Sequence, residues 1–227
     1  MKIEPIGYIK NDFDGKFAVP RQTNLADSIK SKIILFDDYA KAEAVKGIED
    51  FSHLWLIWEF HKNSHSAASL TVRPPRLGGN KRVGVFASRS PFRPNPLGLS
   101  AVRLESVEYN ESGKPMLIVS GADLIDGTPI YDIKPYIRFS DSYPDAVCGY
   151  VDTVPFPTLN VVYDNKIANV IPRDKMESLI EILSGDPRPA YQKDENRIYG
   201  FSYAKKEIKF TVKGNTLTIT EIKDGEQ

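Results

Sequence analysis

The chain has 227 residues, 41% of them apolar, and its 30 basic side chains balance its 30 acidic ones. This composition excludes a wholly disordered chain, which would have fewer apolar residues and a larger net charge. No apolar run approaches the roughly 20 residues of a membrane-spanning helix, and the N-terminus lacks the apolar core of a signal peptide, so we expect no membrane association.

Cysteine and histidine are scarce, which restricts redox and metal chemistry. The single cysteine, Cys148, has no partner for an internal disulfide, so we expect a reduced thiol and a cytoplasmic location. One cysteine and three histidines are a poor supply of ligands for a structural zinc ion, so we expect no metal site. The histidines are His53, His61 and His65.

The first 143 residues have the pattern of short strands separated by turns. Runs of β-forming residues predict strands over 3–10, 32–36, 54–60, 83–87, 99–109, 115–123 and 130–137. A short helix is expected over 37–46, because Asp37 or Asp38 can cap it and Gly47 can end it. So many short strands predict a mainly β domain, built as a barrel or a sandwich.

The character of the chain changes after Tyr143. Residues 154–158 contain two prolines and are typical of a linker. Strands over 207–212 and 216–222 should form a hairpin around Gly214 and Asn215. A helix over 173–183 is expected from apolar residues at helical spacing: Met176, Leu179, Ile180 and Leu183. The sequence therefore predicts a β domain at 1–143 and a small α+β domain at 144–227.

Basic residues are concentrated in one part of the chain. Arginine presents a planar donor group that suits phosphates and stacks on bases, so a segment rich in it suits a polyanion or an anionic cofactor. Between Glu59 and Glu105 there is no acidic residue but there are eight basic ones: Lys62, Arg73, Arg76, Lys81, Arg82, Arg89, Arg93 and Arg103. The alternative is that several of these arginines pair with distant acids and stabilise the fold.

Four stretches carry an unusual share of Pro, Gly, Arg and Asp: 18–22, 72–80, 84–100 and 124–136. Three prolines stiffen the third stretch, which lowers the entropy lost on binding a ligand. It carries Arg89 and Arg93, so it is a candidate preorganised loop for an anion or nucleotide. The alternative is a proline-rich connection with two surface arginines.

The fourth stretch places Asp126 beside Gly127 at a turn. A glycine lacks side-chain bulk, so the neighbouring carboxylate could approach a ligand closely, although Asp-Gly is also an ordinary β-turn. In the strand that follows, Asp132 and Lys134 should lie on one face, opposite Tyr131, Ile133 and Pro135. The chain lacks the glycine-rich loops of nucleotide-binding folds and the serine elbow of hydrolases. The residues alone therefore indicate a β-rich domain with a stiff, arginine-lined ligand site.

These stretches resemble the TrmO (TsaA-like) tRNA methyltransferases, in the segments 17–22, 71–80, 84–100, 126–136 and 186–191. The resemblance implies a compact single-sheet β-barrel N-terminal domain that binds S-adenosylmethionine, a small C-terminal domain and a homodimer. It also implies methylation of N6 of threonylcarbamoyl-adenosine (t6A) at position 37 of tRNA, next to the anticodon, which gives m6t6A.

The resemblance also implies residue roles. It places the loop of Asp186, Arg188 and Tyr191 near the modified nucleotide. The implied cofactor-binding residues are Pro20, Arg21, Gln22, His61, Lys62, Arg89, Leu99, Ile125, Asp126, Gly127 and Thr128.

The chemistry of methyl transfer suggests further roles. The transfer is an in-line displacement, so the protein mainly aligns donor and acceptor. The urea-like acceptor nitrogen must lose a proton, and our hypothesis is that Asp126 is the base or orients this nitrogen, with Lys134 and Tyr136 stabilising charge on the carbonyl. The tRNA backbone would contact Arg73, Arg76, Lys81, Arg82 and Arg93. The alternatives are a non-catalytic module that binds S-adenosylmethionine or RNA, and a methyltransferase acting on a small molecule.

Overall fold

The structure is a computed structural model that describes residues 2–13, 15, 19–20, 23, 28–63, 69–154, 158–188 and 194–225. In chain order its strands are β1 Gly7–Lys10, β2 Lys30–Leu35, β3 His53–Glu59, β4 Thr71–Val72, β5 Val83–Gly84, β6 Leu97–Tyr109, β7 Pro115–Ser120, β8 Pro129–Pro135, β9 Asn160–Tyr163, β10 Tyr199–Tyr203, β11 Lys206–Lys213 and β12 Thr216–Asp224. Its α-helices are α1 Arg138–Asp141, α2 Tyr150–Thr153 and α3 Arg173–Ser184. Within these ranges, no helix has the length and apolarity needed to cross a membrane.

Six strands close into an antiparallel barrel in the order β1-β2-β7-β6-β3-β8. The barrel interior is apolar because alternate residues of each strand point inward. On β3, Leu54, Leu56 and Trp58 are buried, and the residues between them are half-buried. The mainly β prediction and the barrel implied by the resemblance are therefore confirmed.

A bulge in β8 changes which of its side chains share a face. Asp132 pairs with Ile57 but Ile130 pairs with Trp58, so Tyr131 is an extra residue in the strand. Ile133 therefore packs against the barrel core while the Tyr131 hydroxyl bonds to Glu59. The prediction that Tyr131 and Ile133 share a face is wrong. Asp132 and Lys134 do share one, since their charged groups pair at 2.7 Å.

Two predicted elements are wrong in kind. The expected helix at 37–46 is a turn followed by a 3-10 helix at Ala42–Val45, and neither Asp37 nor Asp38 caps it. So short a segment forms too few hydrogen bonds to offset helix nucleation. The expected strand at 83–87 is only Val83–Gly84, followed by a 3-10 helix at Val85–Ala87. The short strand Val83–Gly84 pairs with β4 outside the barrel.

The C-terminal residues form a second unit, with α3 beside a four-stranded sheet in the order β10-β11-β12-β9. The predicted α3 helix and the β11–β12 hairpin are confirmed. The sequence prediction missed β9, which pairs in parallel with β12, and β10. The expected linker at 154–158 includes residues 155–157, which lie outside the described residues.

The segment between β1 and β2 connects the barrel to the second unit. Phe13 is buried in the second unit's core, where its ring lies 5.9 Å from the ring of Tyr203. Beside it, Asp12 forms an ion pair with Lys175 of α3. The second unit is thereby anchored to the end of the barrel at which β1 finishes.

The barrel has two chemically different ends. β1, β3 and β7 finish at the end where β2, β6 and β8 begin, and we call this the upper end. Its connecting segments are formed by the described residues within 11–29, 60–70, 85–96 and 121–128. At the lower end, tight turns such as 110–114 join the strands, and α1 packs against β3 through the Trp55 indole, which donates to Asp141 at 2.8 Å.

Candidate active site

The upper end brings together segments that are distant in the sequence. The cofactor-binding residues that are implied by the resemblance and described by the structure lie in its loops, except Leu99, which is exposed on β6. Pro20, His61, Lys62 and Arg89 lie in three of these loops, and the fourth contains 125–128. Arg21 and Gln22 lie outside the described residues. Antiparallel pairing within a closed barrel is what places these four loops on one rim.

The 121–128 loop is held against the start of the 11–29 loop. One carboxylate oxygen of Asp126 accepts a hydrogen bond from the backbone N–H of Asn11 at 2.8 Å. The Asn11 side chain donates in turn to the carbonyl of Leu124 at 2.9 Å, and the backbone N–H of Asp126 donates to Phe13 at 3.0 Å. Asp126 is therefore half-buried and positioned, with one oxygen committed to the turn.

The neighbours of Asp126 shape the turn. Gly127 has a φ of 75°, in the left-handed region that favours glycine, and a Cβ built there would meet no atom within 4 Å. Glycine is thus favoured at this position by its backbone conformation. Thr128 is buried and its hydroxyl donates to the carbonyl of Ile125 at 2.7 Å, so the Thr128 side chain supports the turn.

The proline-rich loop before β6 is stabilised by its own hydrogen bonds. The guanidinium of Arg93 donates to the carbonyl of Ser88 at 3.1 Å, and the Ser88 hydroxyl donates to the carbonyl of Val85 at 2.9 Å. The backbone N–H of Phe92 donates to the Ser90 hydroxyl at 3.2 Å. These bonds and the prolines give the loop the stiffness that the sequence indicates, and the Arg89 residue remains exposed.

A chain of hydrogen bonds that the sequence prediction missed runs from the barrel interior to the upper end. The indole N–H of Trp58 donates to the hydroxyl of Ser100 at 2.8 Å, and this hydroxyl donates to the carboxylate of Asp123 at 2.6 Å. Burial of the carboxyl group raises the pKa of Asp123, opposed by the Ser100 hydrogen bond and by the positive charge of Arg89. Gly98 permits this packing, because a Cβ there would lie 2.3 Å from the Trp58 ring.

The structure does not bring Lys134 and Tyr136 to Asp126 within one chain. Lys134 lies at the far end of β8, opposite Trp55, and five residues of strand place it roughly 17 Å from Pro129, the first residue of β8. Tyr136 is at the lower end, where its ring lies 5.5 Å from the ring of Trp55. The expectation that these two residues stand near Asp126 is therefore wrong for a single chain, because β8 spans the barrel from end to end.

Asp186 and Arg188 form a two-pronged ion pair directly after α3. The two carboxylate oxygens accept from Nε and a terminal nitrogen of Arg188 at 2.8 and 2.9 Å, and the side chains are only 16% and 13% exposed. The hydrogen bond to Asp186 raises the pKa of Arg188 above its ordinary value. The φ of Asp186 is 48°, an unusual value for a residue other than glycine. Tyr191 lies outside the described residues.

Tyr199 extends this cluster and was missed from the sequence. The guanidinium carbons of Arg188 and Arg197 lie 6.0 and 5.5 Å from the centre of its ring. Tyr199 is buried and Arg188 is paired with Asp186, so the exposed Arg197 is the member of this cluster that presents positive charge to solvent. Arg197 gave no signal in the sequence, since its contact with the Tyr199 ring depends on the fold of β10.

The basic residues proposed for tRNA differ in their surroundings. Arg73, Lys81 and Arg82 are exposed, and Arg82 is held by a 2.6 Å hydrogen bond to the Thr71 hydroxyl. Arg76 instead donates to the carbonyls of Val151 and Val154 at the end of α2, at 2.8 and 2.7 Å. Arg76 and Arg93 therefore stabilise loops of the chain itself by donating to backbone carbonyls. The alternative given in the sequence analysis also assigned a stabilising role to such arginines, but with distant acids as their partners.

A shallow cavity of about 190 Å³ lies on the outer surface near the upper end. The Tyr131 hydroxyl donates to the Glu59 carboxylate there at 2.6 Å, and this bond raises the pKa of Tyr131 to about 12. The remaining lining residues are Ile3, Asn95, Pro96 and Leu97. Across the described ranges, we find no group of three metal-ligating side chains that could hold an ion.

Comparison with known proteins agrees with this architecture. Family models for the tRNA-methyltransferase O N-terminal domain and the TrmO C-terminal domain match residues 8–142 and 157–225. The chain is 43% identical over 209 residues to the tRNA (adenine(37)-N6)-methyltransferase of Escherichia coli K12, covering 89% of this chain and 88% of that protein.

Two further similarities come from Pseudomonas aeruginosa. The chain is 44% identical over 206 residues to RcsF, provisionally named an S-adenosylmethionine-dependent methyltransferase, with 87% of each chain covered. A crystal structure of TrmO superimposes with a TM-score of 0.79 at 31% identity, over 99% of this chain and 97% of that one. Both domain models, these identities and the shared fold lead to one conclusion: the chain belongs to the TrmO family of tRNA methyltransferases.

Proposed function

We propose that the chain transfers a methyl group from S-adenosylmethionine to N6 of t6A at position 37 of tRNA, next to the anticodon, and so forms m6t6A. The observation that carries this proposal is the 43% identity to a tRNA (adenine(37)-N6)-methyltransferase along 89% of the chain. The name of the Pseudomonas relative supports S-adenosylmethionine as the donor. The threonylcarbamoyl group as the acceptor is our own extension.

The upper end is proposed to hold the donor. S-adenosylmethionine carries a sulfonium, an ammonium and a carboxylate. The upper end offers carboxylate side chains, which suit the two cations of the donor, and the exposed guanidinium of Arg89, which suits its carboxylate. When bound, the donor supplies a methyl group activated by the adjacent positive sulfur. The residues proposed to contact it are Pro20, Arg21, Gln22, His61, Lys62, Arg89, Leu99 and 125–128.

Asp126 is proposed as the general base. The acceptor nitrogen of a urea-like group is a weak nucleophile, so removal of its proton must accompany attack. Asp126 is supported in this role by its place on the rim and by the hydrogen bond from Asn11, which orients its carboxylate. Lys134 and Tyr136 are left out of this group because they lie at the lower end.

The substrate tRNA is proposed to lie across the upper end and the second unit. Asp186, Arg188 and Tyr191 would lie near the modified nucleotide, supported by the rigid ion pair at 186 and 188. Arg73, Lys81 and Arg82 would contact the phosphate backbone, since they are exposed. The two proposed domains, 1–143 and 144–227, would then contribute the donor site and part of the tRNA site, and residues 11–29 would join them.

A homodimer is proposed from an exposed apolar segment. Phe139, Tyr143 and Val147 are 92%, 76% and 91% exposed, which is unusual for three large apolar residues within nine positions. Replacing Phe139 with Asp should then convert a dimer to a monomer in light scattering. We also propose a cytoplasmic location, since tRNA is the substrate and Cys148 is a free thiol.

Methyl-transfer assays with two matched tRNAs test the proposal. Labelled donor is incubated with the protein and with tRNA that either carries or lacks the threonylcarbamoyl group, and the nucleosides are analysed by mass spectrometry. The proposal predicts m6t6A from the first tRNA and no product from the second. Methylation of unmodified adenine would refute the acceptor, and donor binding without methylation of either tRNA would favour the non-catalytic alternative.

A further inference from the structure

Asp123 ends a hydrogen-bonded chain whose direction is fixed. The Ser100 hydroxyl has one proton, which goes to Asp123, so its oxygen accepts from the Trp58 indole. Ser100 is 1% exposed, and β3 and β6 hold both donors on the inward face of the barrel. The Asp123 carboxylate is therefore oriented by the barrel wall, at the start of the rim loop that contains Asp126.

The carboxylate sits in an environment that disfavours its negative charge. Burial raises the pKa of Asp123, as described above, and Arg89 and the Ser100 hydroxyl only partly offset this effect. The ion pairs of the described residues include none with Asp123. Asp123 is half-buried, and a partly desolvated carboxylate that forms no ion pair with any described residue is costly, whereas an oriented one on a ligand-binding rim is suited to receive a cation.

We propose that Asp123 is a donor-binding residue whose carboxylate contacts a cationic group of the methyl donor, either its sulfonium or its ammonium. This inference rests on the proposed function, which supplies the identity of the ligand. Ser100 and Trp58 act as positioning residues that orient the carboxylate. Arg89, on the same rim, is then left to interact with the negative carboxylate of the donor.

A purely structural role for Asp123 makes a different prediction. Asp123→Asn keeps an oxygen that can accept from Ser100, so it preserves the hydrogen-bonded chain and removes only the charge. If the network merely supports Trp58, this variant should bind the donor as the wild type does. If the charge contacts the donor, affinity should fall while the melting temperature stays within a few degrees of the wild type.

Calorimetry on the full chain without tRNA distinguishes the two roles. The ligands are S-adenosylmethionine, S-adenosylhomocysteine, which lacks the sulfonium, and 5′-methylthioadenosine, which lacks both cations. We expect Asp123→Asn to weaken S-adenosylmethionine at least tenfold. A matching loss for S-adenosylhomocysteine identifies the ammonium as the partner, and unchanged S-adenosylhomocysteine identifies the sulfonium. Affinity for S-adenosylmethionine within twofold of wild type, or an equal loss for all three ligands, would overturn the proposal.

Controls separate this inference from the proposed function and from folding. Asp37→Asn removes an exposed carboxylate that pairs with Lys114 at the lower end, and should leave all three affinities unchanged. Ser100→Ala keeps the charge of Asp123 but removes its orienting donor, so it should weaken S-adenosylmethionine by less than Asp123→Asn does; no loss at all would count against the proposal. If the wild type bound none of the three ligands, the proposed function itself would fail.

Discussion

Replacing Asp126 in two ways separates its structural part from its proposed catalytic part. In the wild type the Asn11 backbone N–H donates to Asp126 at 2.8 Å. Asp126→Asn retains an oxygen that can accept this hydrogen bond, so the free energy of unfolding should change little. Asp126→Ala leaves that half-buried N–H without its acceptor, at a cost of about 1–3 kcal/mol. For a chain of this length the melting temperature should fall by roughly 3 °C for each kcal/mol. Both variants lose the base, which typically contributes about 10²–10⁴-fold to the rate.

The assay is single-turnover methylation of t6A-containing tRNA, together with thermal melting and calorimetry with S-adenosylmethionine. We expect both variants to lose turnover, with donor affinity changed by no more than a few-fold. The matched control is Asp164→Asn, since the Asp164 carboxylate also accepts a backbone hydrogen bond, from Lys166 at 2.8 Å, but lies in the second unit. Turnover of Asp126→Asn at the wild-type rate would remove Asp126 from the mechanism and leave it only the turn.

Three further predictions concern the remaining charged and aromatic groups. Arg76→Ala should lower the free energy of unfolding by about 1–3 kcal/mol, because it releases the end of α2. Arg73→Ala should leave stability unchanged but reduce the salt dependence of tRNA binding, which binding titrations at several salt concentrations would measure. Arg188→Lys should lower kcat/KM for tRNA about 10- to 100-fold by breaking the two-pronged pair, with donor affinity unchanged, and the exposed Arg173→Lys should have no effect. Burial raises the pKa of Tyr203 to about 12. The unfolded chain therefore loses the hydroxyl proton of Tyr203 at a lower pH than the folded chain, so the free energy of unfolding falls as pH rises from about 10 to about 12. In denaturant titrations, Tyr203→Phe should remove the contribution of Tyr203 to this fall.

The parts of the fold that depend on local pattern could be predicted from the sequence. The apolar spacing of α3 and the alternation of β11 and β12 around Gly214 specify those elements directly. The helix expected at 37–46 failed because a capping residue and a terminal glycine do not supply enough hydrogen bonds in so short a segment. β9 was missed because its parallel pairing with β12 is a tertiary contact between distant residues.

The candidate site divides in the same way. Stiff, arginine-bearing loops were visible in the sequence, but their meeting on one rim depends on barrel closure. Trp58, Ser100 and Asp123 are 42 and 23 residues apart, so their hydrogen-bonded chain could not be read from spacing. Lys134 and Asp126 are only eight positions apart but lie at opposite ends of the barrel, because the strand between them is extended.

Hydrogen–deuterium exchange with and without S-adenosylmethionine tests the central claim most directly, because it reports the location of the donor along the whole chain. The upper-end site predicts slower exchange of backbone amides in 60–63, 85–100 and 121–128 when the donor is bound. It predicts no change in the lower-end segments 36–41 and 110–114. Protection confined to the lower end, or to the second unit alone, would contradict the account.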